Sequence, residues 1–249
     1  LFMKIAIVKL SALGDIVHAM VVLQFIKNSN QKILVDWIVD DTYQQLLESN
    51  PDINKIHVIN IKKAKKKKSL YMLINELIQT RKMGPYDLVI DMQGLIKSAI
   101  ISWMIPSSVT LGFDQSSIRE GIASIFYNKT FKFGYEKNVI ERNIALINFA
   151  LGSYINSDLV QHKLPFLYSI NKHVFNGLSK RKKNILIIPG ASNTSKCYPS
   201  LKFAELSNLL DANIIISWGS KNEKKLADEI KFQSEKVIVS DNLSLEFLI

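Results

Sequence analysis

An apolar run, Ile5 to Leu10, hands over through Ser11-Ala12-Leu13-Gly14 to a helical periodicity that begins at Asp15 and reaches about Asn28. This strand, small-residue turn and helix then recur along the chain. The patterning predicts strands at Ile33 to Val39, Lys55 to Ile61, Asp87 to Asp91 and near Val109 to Gly112. Between them it predicts helices at Thr42 to Glu48, Ser69 to Lys82 and Leu95 to Met104, with two more at Ile118 to Tyr127 and Val139 to Leu151. Strands that alternate with helices can pair only through crossovers, so the expected class is α/β with a parallel, doubly wound sheet.

From Gly152 to Lys183 the periodicity weakens and Ser, Asn, His and Lys gather around Pro165, as in a linker. A new unit then opens with Ile185-Leu-Ile-Ile-Pro-Gly190. It continues with a helix at Pro199 to Leu210, a strand at Ile214 to Trp218, a helix at Asn222 to Phe232 and a strand at Val237 to Val239. The expected domains are therefore 1–152, a linker 153–183, and 184–249. Three parallel strands leave apolar surface exposed, so the second domain is expected to be incomplete within these residues.

Composition narrows the function classes. A single cysteine, Cys197, excludes an internal disulfide framework, and four scattered histidines suggest no metal cluster, so no bound metal is expected. No window carries the ~18 consecutive apolar residues of a spanning helix. The first strand is interrupted by Lys9 and lacks the pattern of a signal peptide, which points to the cytoplasm. Lys plus Arg number 32 against 22 Asp plus Glu, a net charge of +10. That excess suits phosphates, nucleic acid or an acidic membrane surface. Only four of the basic residues are arginines, so codon bias accounts for the lysines equally well.

Gly14-Asp15 lies where the first strand meets the first helix, at the edge where open α/β sheets bind ligands. Asp15 reads there either as an N-cap or as a catalytic carboxylate, and His18 lies one turn further on. The run Lys62-Lys63-Ala64-Lys65-Lys66-Lys67-Lys68 reads as a solvated loop or as the seat of a polyanion; it lacks the interleaved aromatics of a single-strand nucleic-acid platform. Gln93, Gly94 and Lys97 follow another strand end, and Arg119 opens a later helix. In the second unit Gly190-Ala191-Ser192-Asn193-Thr194-Ser195-Lys196 reads as a polar capping loop or a diphosphate cradle, although it is no P-loop. Glu223 suits either ribose hydroxyls or the helix dipole.

At these residues the chain resembles the ADP-heptose glycosyltransferases of lipopolysaccharide inner-core assembly. The resemblance rests on Met3-Lys-Ile-Ala-Ile-Val-Lys-Leu-Ser-Ala-Leu-Gly-Asp-Ile-Val-His18, Val35-Asp-Trp-Ile-Val39, Tyr86-Asp-Leu-Val-Ile-Asp-Met-Gln-Gly-Leu-Ile-Lys-Ser98 and Arg119-Glu-Gly-Ile-Ala-Ser-Ile-Phe-Tyr-Asn128. Pro189-Gly190, Lys196 and Trp218-Gly219 stand where that family places donor-binding elements. The loop before Lys196 departs from the family's consecutive threonines and acidic residues, and the family's later glycine- and histidine-bearing motif lies beyond Ile249.

The resemblance implies two Rossmann-like domains of GT-B type, acceptor bound by the first and nucleotide-sugar by the second. It implies transfer of L-glycero-D-manno-heptose from ADP-heptose to the inner Kdo of Kdo2-lipid A with inversion, without a further cofactor. Asp15 would be the general base; Ser192, Thr194, Lys196 and Glu223 would bind donor. Gly14, His18, Lys62, Lys63, Lys65, Lys66, Gln93 and Arg119 would meet the acidic acceptor. Peripheral contact with the cytoplasmic face of the inner membrane follows, and no nucleic-acid partner. From the residues alone, a basic nucleic-acid-binding α/β protein remains the alternative. A nicotinamide oxidoreductase lacks the glycine fingerprint it needs.

Overall fold

The computed structural model describes residues 3–155, 157–169, 175, 177–191 and 194–243. They fall into two compact units, Leu1–Tyr168 and Ser169–Ile249. In the first unit β1 (Lys4–Val8), β2 (Leu34–Asp40), β3 (Lys55–Ile59), β4 (Tyr86–Asp91), β5 (Ser107–Phe113) and β6 (Lys129–Phe131) form one parallel sheet in the order β3-β2-β1-β4-β5-β6. The order reverses direction between β1 and β4, which opens a crevice above their carboxyl ends.

Both faces of this sheet are covered, which is why β1 reads as an unbroken apolar run: Ile5, Ala6, Ile7 and Val8 are wholly buried. One face packs against α1 (Leu13–Met20), α2 (Val22–Ser29) and α6 (Val139–Leu151), which contribute Ile16, Met20, Leu23, Ile26, Leu146 and Ile147. The other face meets α4 (Leu70–Thr80) and α5 (Ile96–Met104) through Leu77, Ile101 and Ile105. The first helix is split at Val21. Its N–H turns to the Ala19 carbonyl, within a pair of β-branched valines that favour helix weakly.

Two predicted helices close more tightly, as 3₁₀ turns at Asp41–Leu46 and Gly121–Phe126. Asp40 stabilises the former by accepting from Thr42 N–H and hydroxyl at 3.3 and 2.7 Å. The lysine run, read as a solvated loop, begins instead as α3 (Ile61–Lys66), because Ile61 and Ala64 give it a buried side. Residues 153–155 and 157–168 pack with the first unit: Gln24 exchanges hydrogen bonds with Leu164, and Asn50 Nδ2 donates to the Phe166 carbonyl at 2.9 Å. That stretch includes α7 (Ser157–Gln161). In the second unit β7 (Asn184–Ile187), β8 (Asn213–Ile216) and β9 (Val237–Val239) run parallel, with α8 (Ser200–Leu209) and α9 (Lys221–Gln233) packed through Ala204, Ala227 and Ile230.

At the amino end of the first sheet sits a buried polar cluster. The Asp36 carboxylate accepts from Tyr86 Oη at 2.6 Å and from Asn54 Nδ2 at 2.7 Å, with His57 Nε2 at 3.4 Å and Lys4 Nζ at 3.6 Å. Burial alone would raise its pKa, but the bonds from His57, Asn54 and Tyr86 and the Lys4 charge outweigh that and hold it below the usual carboxylate range. Its contribution to stability is therefore complete above the unfolded value near 4 and is lost as pH falls through the folded one. Asp36→Ala is expected to destabilise the first unit by about 3–5 kcal/mol at pH 7. In urea titrations the gap from the parent should narrow below about pH 4; an equal gap at pH 7 and pH 3 would refute the linkage.

Candidate functional site

The crevice over β1 and β4 contains a cavity of about 380 Å³. Its walls come from the loops after β1, β4 and β5 and from one side of α6. The local structure begins with Asp91, the fully buried last residue of β4. Its Oδ1 accepts from the N–H groups of Gln93 at 2.8 Å and Gly94 at 3.1 Å, and its Oδ2 from Tyr127 Oη at 2.8 Å. Burial drives the Asp91 pKa up, against those hydrogen bonds. Gly94 takes φ +66° in this turn, and a Cβ there would fall 2.6 Å from Ile118 Cγ2.

The turn aims Gln93 back at β1. Gln93 Oε1 accepts from Leu10 N–H at 2.8 Å, while Lys9 Nζ donates to the Met92 carbonyl at 3.0 Å. Lys97 Nζ reaches Ser11 Oγ at 3.2 Å. The two loops are thus joined side chain to backbone in both directions. Lys9 is only 6% exposed. Burial lowers its pKa; the carboxylates of Asp15 and Asp91 oppose that, while Arg142 and Lys97 add to it.

Asp15 lies at the third position of α1, not at the N-cap, which is Ala12. Its Oδ2 accepts from the Ala12 N–H at 3.2 Å, the return half of a capping box. Its other oxygen accepts no hydrogen bond among the described residues. The carboxylate is exposed and lines the cavity together with Lys9, Arg119 and Arg142. Arg142 is fixed in place, donating to the carbonyls of Gly134 at 2.7 Å and Ser117 at 2.6 Å and stacking 4.6 Å from Phe113 and 5.2 Å from Tyr135. Beside it the buried Asn143 Nδ2 has no hydrogen-bond partner among the described residues. A ligand oxygen in the cavity would satisfy that amide, which otherwise carries a penalty of about 1–3 kcal/mol. One carboxylate ringed by cations suits an acidic substrate whose hydroxyl must lose a proton.

Of the residues expected from sequence to meet the acceptor, the structure brings Gln93 and Arg119 to this cavity with Asp15. Gly14 and His18 are exposed on α1 but do not line it, and Lys63 stands exposed on α3, outside it. The side chains of Lys62, Lys65 and Lys66 lie outside the described structure. Gln93 is engaged in holding the β1 loop. Sequence reading passed over Lys9, Arg142 and Asn143 as site residues. A lysine ending a buried strand was the available signal for the first, and the rarity of arginine for the second.

In the second unit Lys196 follows β7 and Glu223 follows β8, each in the connection that leaves the strand's carboxyl end. Thr194–Lys196 forms a 3₁₀ turn with Lys196 exposed; Ser192 and the Thr194 side chain lie outside the described residues. Glu223 sits in the first turn of α9, which Ser220 caps, and its Oε2 accepts from Gly219 N–H at 2.8 Å. It rests against Gly190: a Cβ on that glycine would lie 2.3 Å from Glu223 Oε1. The loops after β7 and β8 therefore meet at Glu223. Among the described residues no group of three or more His, Cys, Asp or Glu could hold a metal, and no helix is long and apolar enough to cross a membrane.

The profile of glycosyltransferase family 9 (heptosyltransferase) matches residues 74–249. Lipopolysaccharide heptosyltransferase 1 of Campylobacter coli is 37% identical over 265 residues, spanning 99% of this chain and 75% of that protein. Its Escherichia coli K12 namesake is 27% identical over 254 residues, spanning 98% and 77%. The solved structure of E. coli heptosyltransferase WaaC with ADP-2-deoxy-2-fluoro heptose matches with a TM-score of 0.82 at 25% identity, covering 99% of this chain and 78% of that one. With two Rossmann-like units of the GT-B class and a profile match over most of its length, this glycosyltransferase belongs to family 9, the heptosyltransferases.

Proposed function

We propose that the chain transfers L-glycero-D-manno-heptose from ADP-heptose to the inner Kdo of Kdo2-lipid A with inversion, using Asp15 as general base. The observation that carries this reading is the Asp15 carboxylate in a cationic cavity at the switch point of the first sheet. Membership in family 9 supplies the reaction class, and the sugar nucleotide bound by the related E. coli enzyme suggests the donor.

In this mechanism the acceptor hydroxyl oxygen attacks the anomeric carbon from the face opposite ADP. Its proton passes to the Asp15 carboxylate, and the departing C–O electron pair stays on the diphosphate. The Ala12 N–H bond to Oδ2 fixes the orientation of the carboxylate, so the other oxygen serves as base. Arg119, exposed at the cavity, and the pinned Arg142 favour the acid groups of the acceptor. Gln93 works indirectly, by keeping the loop after β1 in place. The first unit would hold acceptor and the second donor. There Lys196 would compensate the charge that develops on ADP, and Glu223 would accept from the ribose hydroxyls. The residues Lys62, Lys63, Lys65 and Lys66 would draw in the anionic acceptor, and contact with the cytoplasmic face of the inner membrane would be peripheral.

The decisive assay is ADP release from ADP-heptose in the presence of Kdo2-lipid A. Asp15→Asn should lower kcat by about 10²–10⁴ while ADP-heptose affinity is retained; near-parental turnover would remove Asp15 from the chemistry. Lys196→Ala should weaken donor binding by about 10–100-fold, the worth of one charge-assisted hydrogen bond. An unchanged donor Kd would place the diphosphate elsewhere. Because a lysine replaces a bridging cation in this scheme, EDTA should leave the rate unaltered. A collapse reversed by magnesium would overturn that part of the mechanism.

A further inference from the structure

The segment after β3 leaves a helix face that the described residues of the first unit do not cover. In α4, Leu70 is 69% and Tyr71 80% exposed, and Ile74 and Ile78 are each about half exposed. At 100° per residue these four positions fall within one 100° arc. The other side of the helix is anchored, with Thr80 buried and Glu76 Oε2 accepting from Asn60 N–H at 3.1 Å, and at the rim of the arc Leu77 joins the core. The apolar arc is therefore held facing outward by a helix with its own footing in the domain. On the same face of the sheet α5 exposes Trp103, and the neighbouring 3₁₀ turn exposes Ile122 and Ile125.

The charge beside this arc is one-sided. Residues 61–82 contain seven lysines and Arg81 against one carboxylate, Glu76. Ile61 and Ala64 are buried and anchor α3, while Lys63, Lys67 and Lys68 are exposed. The connection to α4 is short: Lys68 takes φ +49°, Ser69 N–H donates to the Ala64 carbonyl at 3.1 Å, and Ser69 Oγ caps α4 through Met72 N–H. An amphipathic helix with bulky apolar side chains out and a lysine cluster at its start has the composition of an interfacial helix. Neither a second protein copy nor a nucleic acid accounts for both parts. Apolar side chains contribute nothing to phosphate-backbone binding, and a lysine cluster set against its own image repels.

We propose that α3 and α4 form the surface by which this chain docks on an anionic lipid bilayer, with Leu70, Tyr71, Ile74 and Ile78 entering the interface and Lys67 and Lys68 pairing with lipid headgroups. This deepens the membrane contact of the proposed function by naming the face. The start of that face lies towards the carboxyl end of the sheet, since α3 leaves the carboxyl end of β3 and leads directly into α4.

The test is flotation of the full chain with vesicles of phosphatidylcholine alone or containing phosphatidylglycerol. The parent should float with the anionic vesicles and lose retention as salt is raised. Replacing Leu70, Tyr71, Ile74 and Ile78 together by Ser should weaken retention at least about tenfold. Lys67→Ser with Lys68→Ser should weaken it about fivefold per lysine, on anionic vesicles only. ADP release with a deacylated, water-soluble acceptor should be unaltered in both variants, which also shows that they fold. Parent-like flotation of the four-serine variant would overturn the proposal, as would failure of the parent to float. So would a parent dimer that these substitutions dissociate, with no lipid dependence. Asp15→Asn should float like the parent, so loss of the catalytic reading and loss of the docking face are separately visible.

Discussion

The buried carboxylate of Asp91 is the constraint on which the first unit's site depends. It lies at the end of β4, and three hydrogen bonds hold it there against the penalty of full burial. Those bonds shape a turn that needs a left-handed residue at Gly94, and the turn presents Gln93 to the backbone of β1. This tie adds to those that the loop leading to Asp15 already makes to β2, through Asp40 N–H to the Leu10 carbonyl and Trp37 Nε1 to the Lys9 carbonyl. A buried carboxyl group used in this way lies behind the cavity lining yet specifies where the lining residues stand.

Electrostatics follow from the same packing. Lys9 is buried because its strand is central, and its ammonium is satisfied by the Met92 carbonyl and the attraction of two carboxylates. Arg142 is immobilised by two carbonyls and two aromatic rings. Such cations do not reorganise when a ligand arrives, so their field at the cavity is established in advance. Arg119 differs, being exposed and able to follow a substrate.

Much of the fold was legible because both of its periodic signals are strong. Buried parallel strands such as Ile5 to Val8 read as apolar runs, and Val139–Leu151 appears with its predicted bounds because Asn138 caps it and Gly152 ends it in the left-handed region. The 3₁₀ turns at Asp41–Leu46 and Gly121–Phe126 were read as α-helices, since apolar spacing over six residues does not separate the two. β6 is three residues long and carries no pattern. Among the cavity residues, Asp15, Gln93 and Arg119 stood next to strand or helix ends, where position made them candidates and left their roles open. Asn143 was illegible for a different reason: its place at the cavity depends on α6 packing against α1, a contact between segments more than a hundred residues apart.

The cluster around Asp36 has a bearing on the cavity although it sits at the far end of the sheet. It ties Lys4 on β1 to β2, β3 and β4, while Gln93 and Lys9 clamp the other end of the same strand. β1 is thus pegged like a rail at both extremities. Slippage by a single residue would displace the carboxylate it delivers by roughly 3.3 Å, a full hydrogen-bond length. The placement of Asp15 beside the cavity is in this sense inherited from the foundations of the domain.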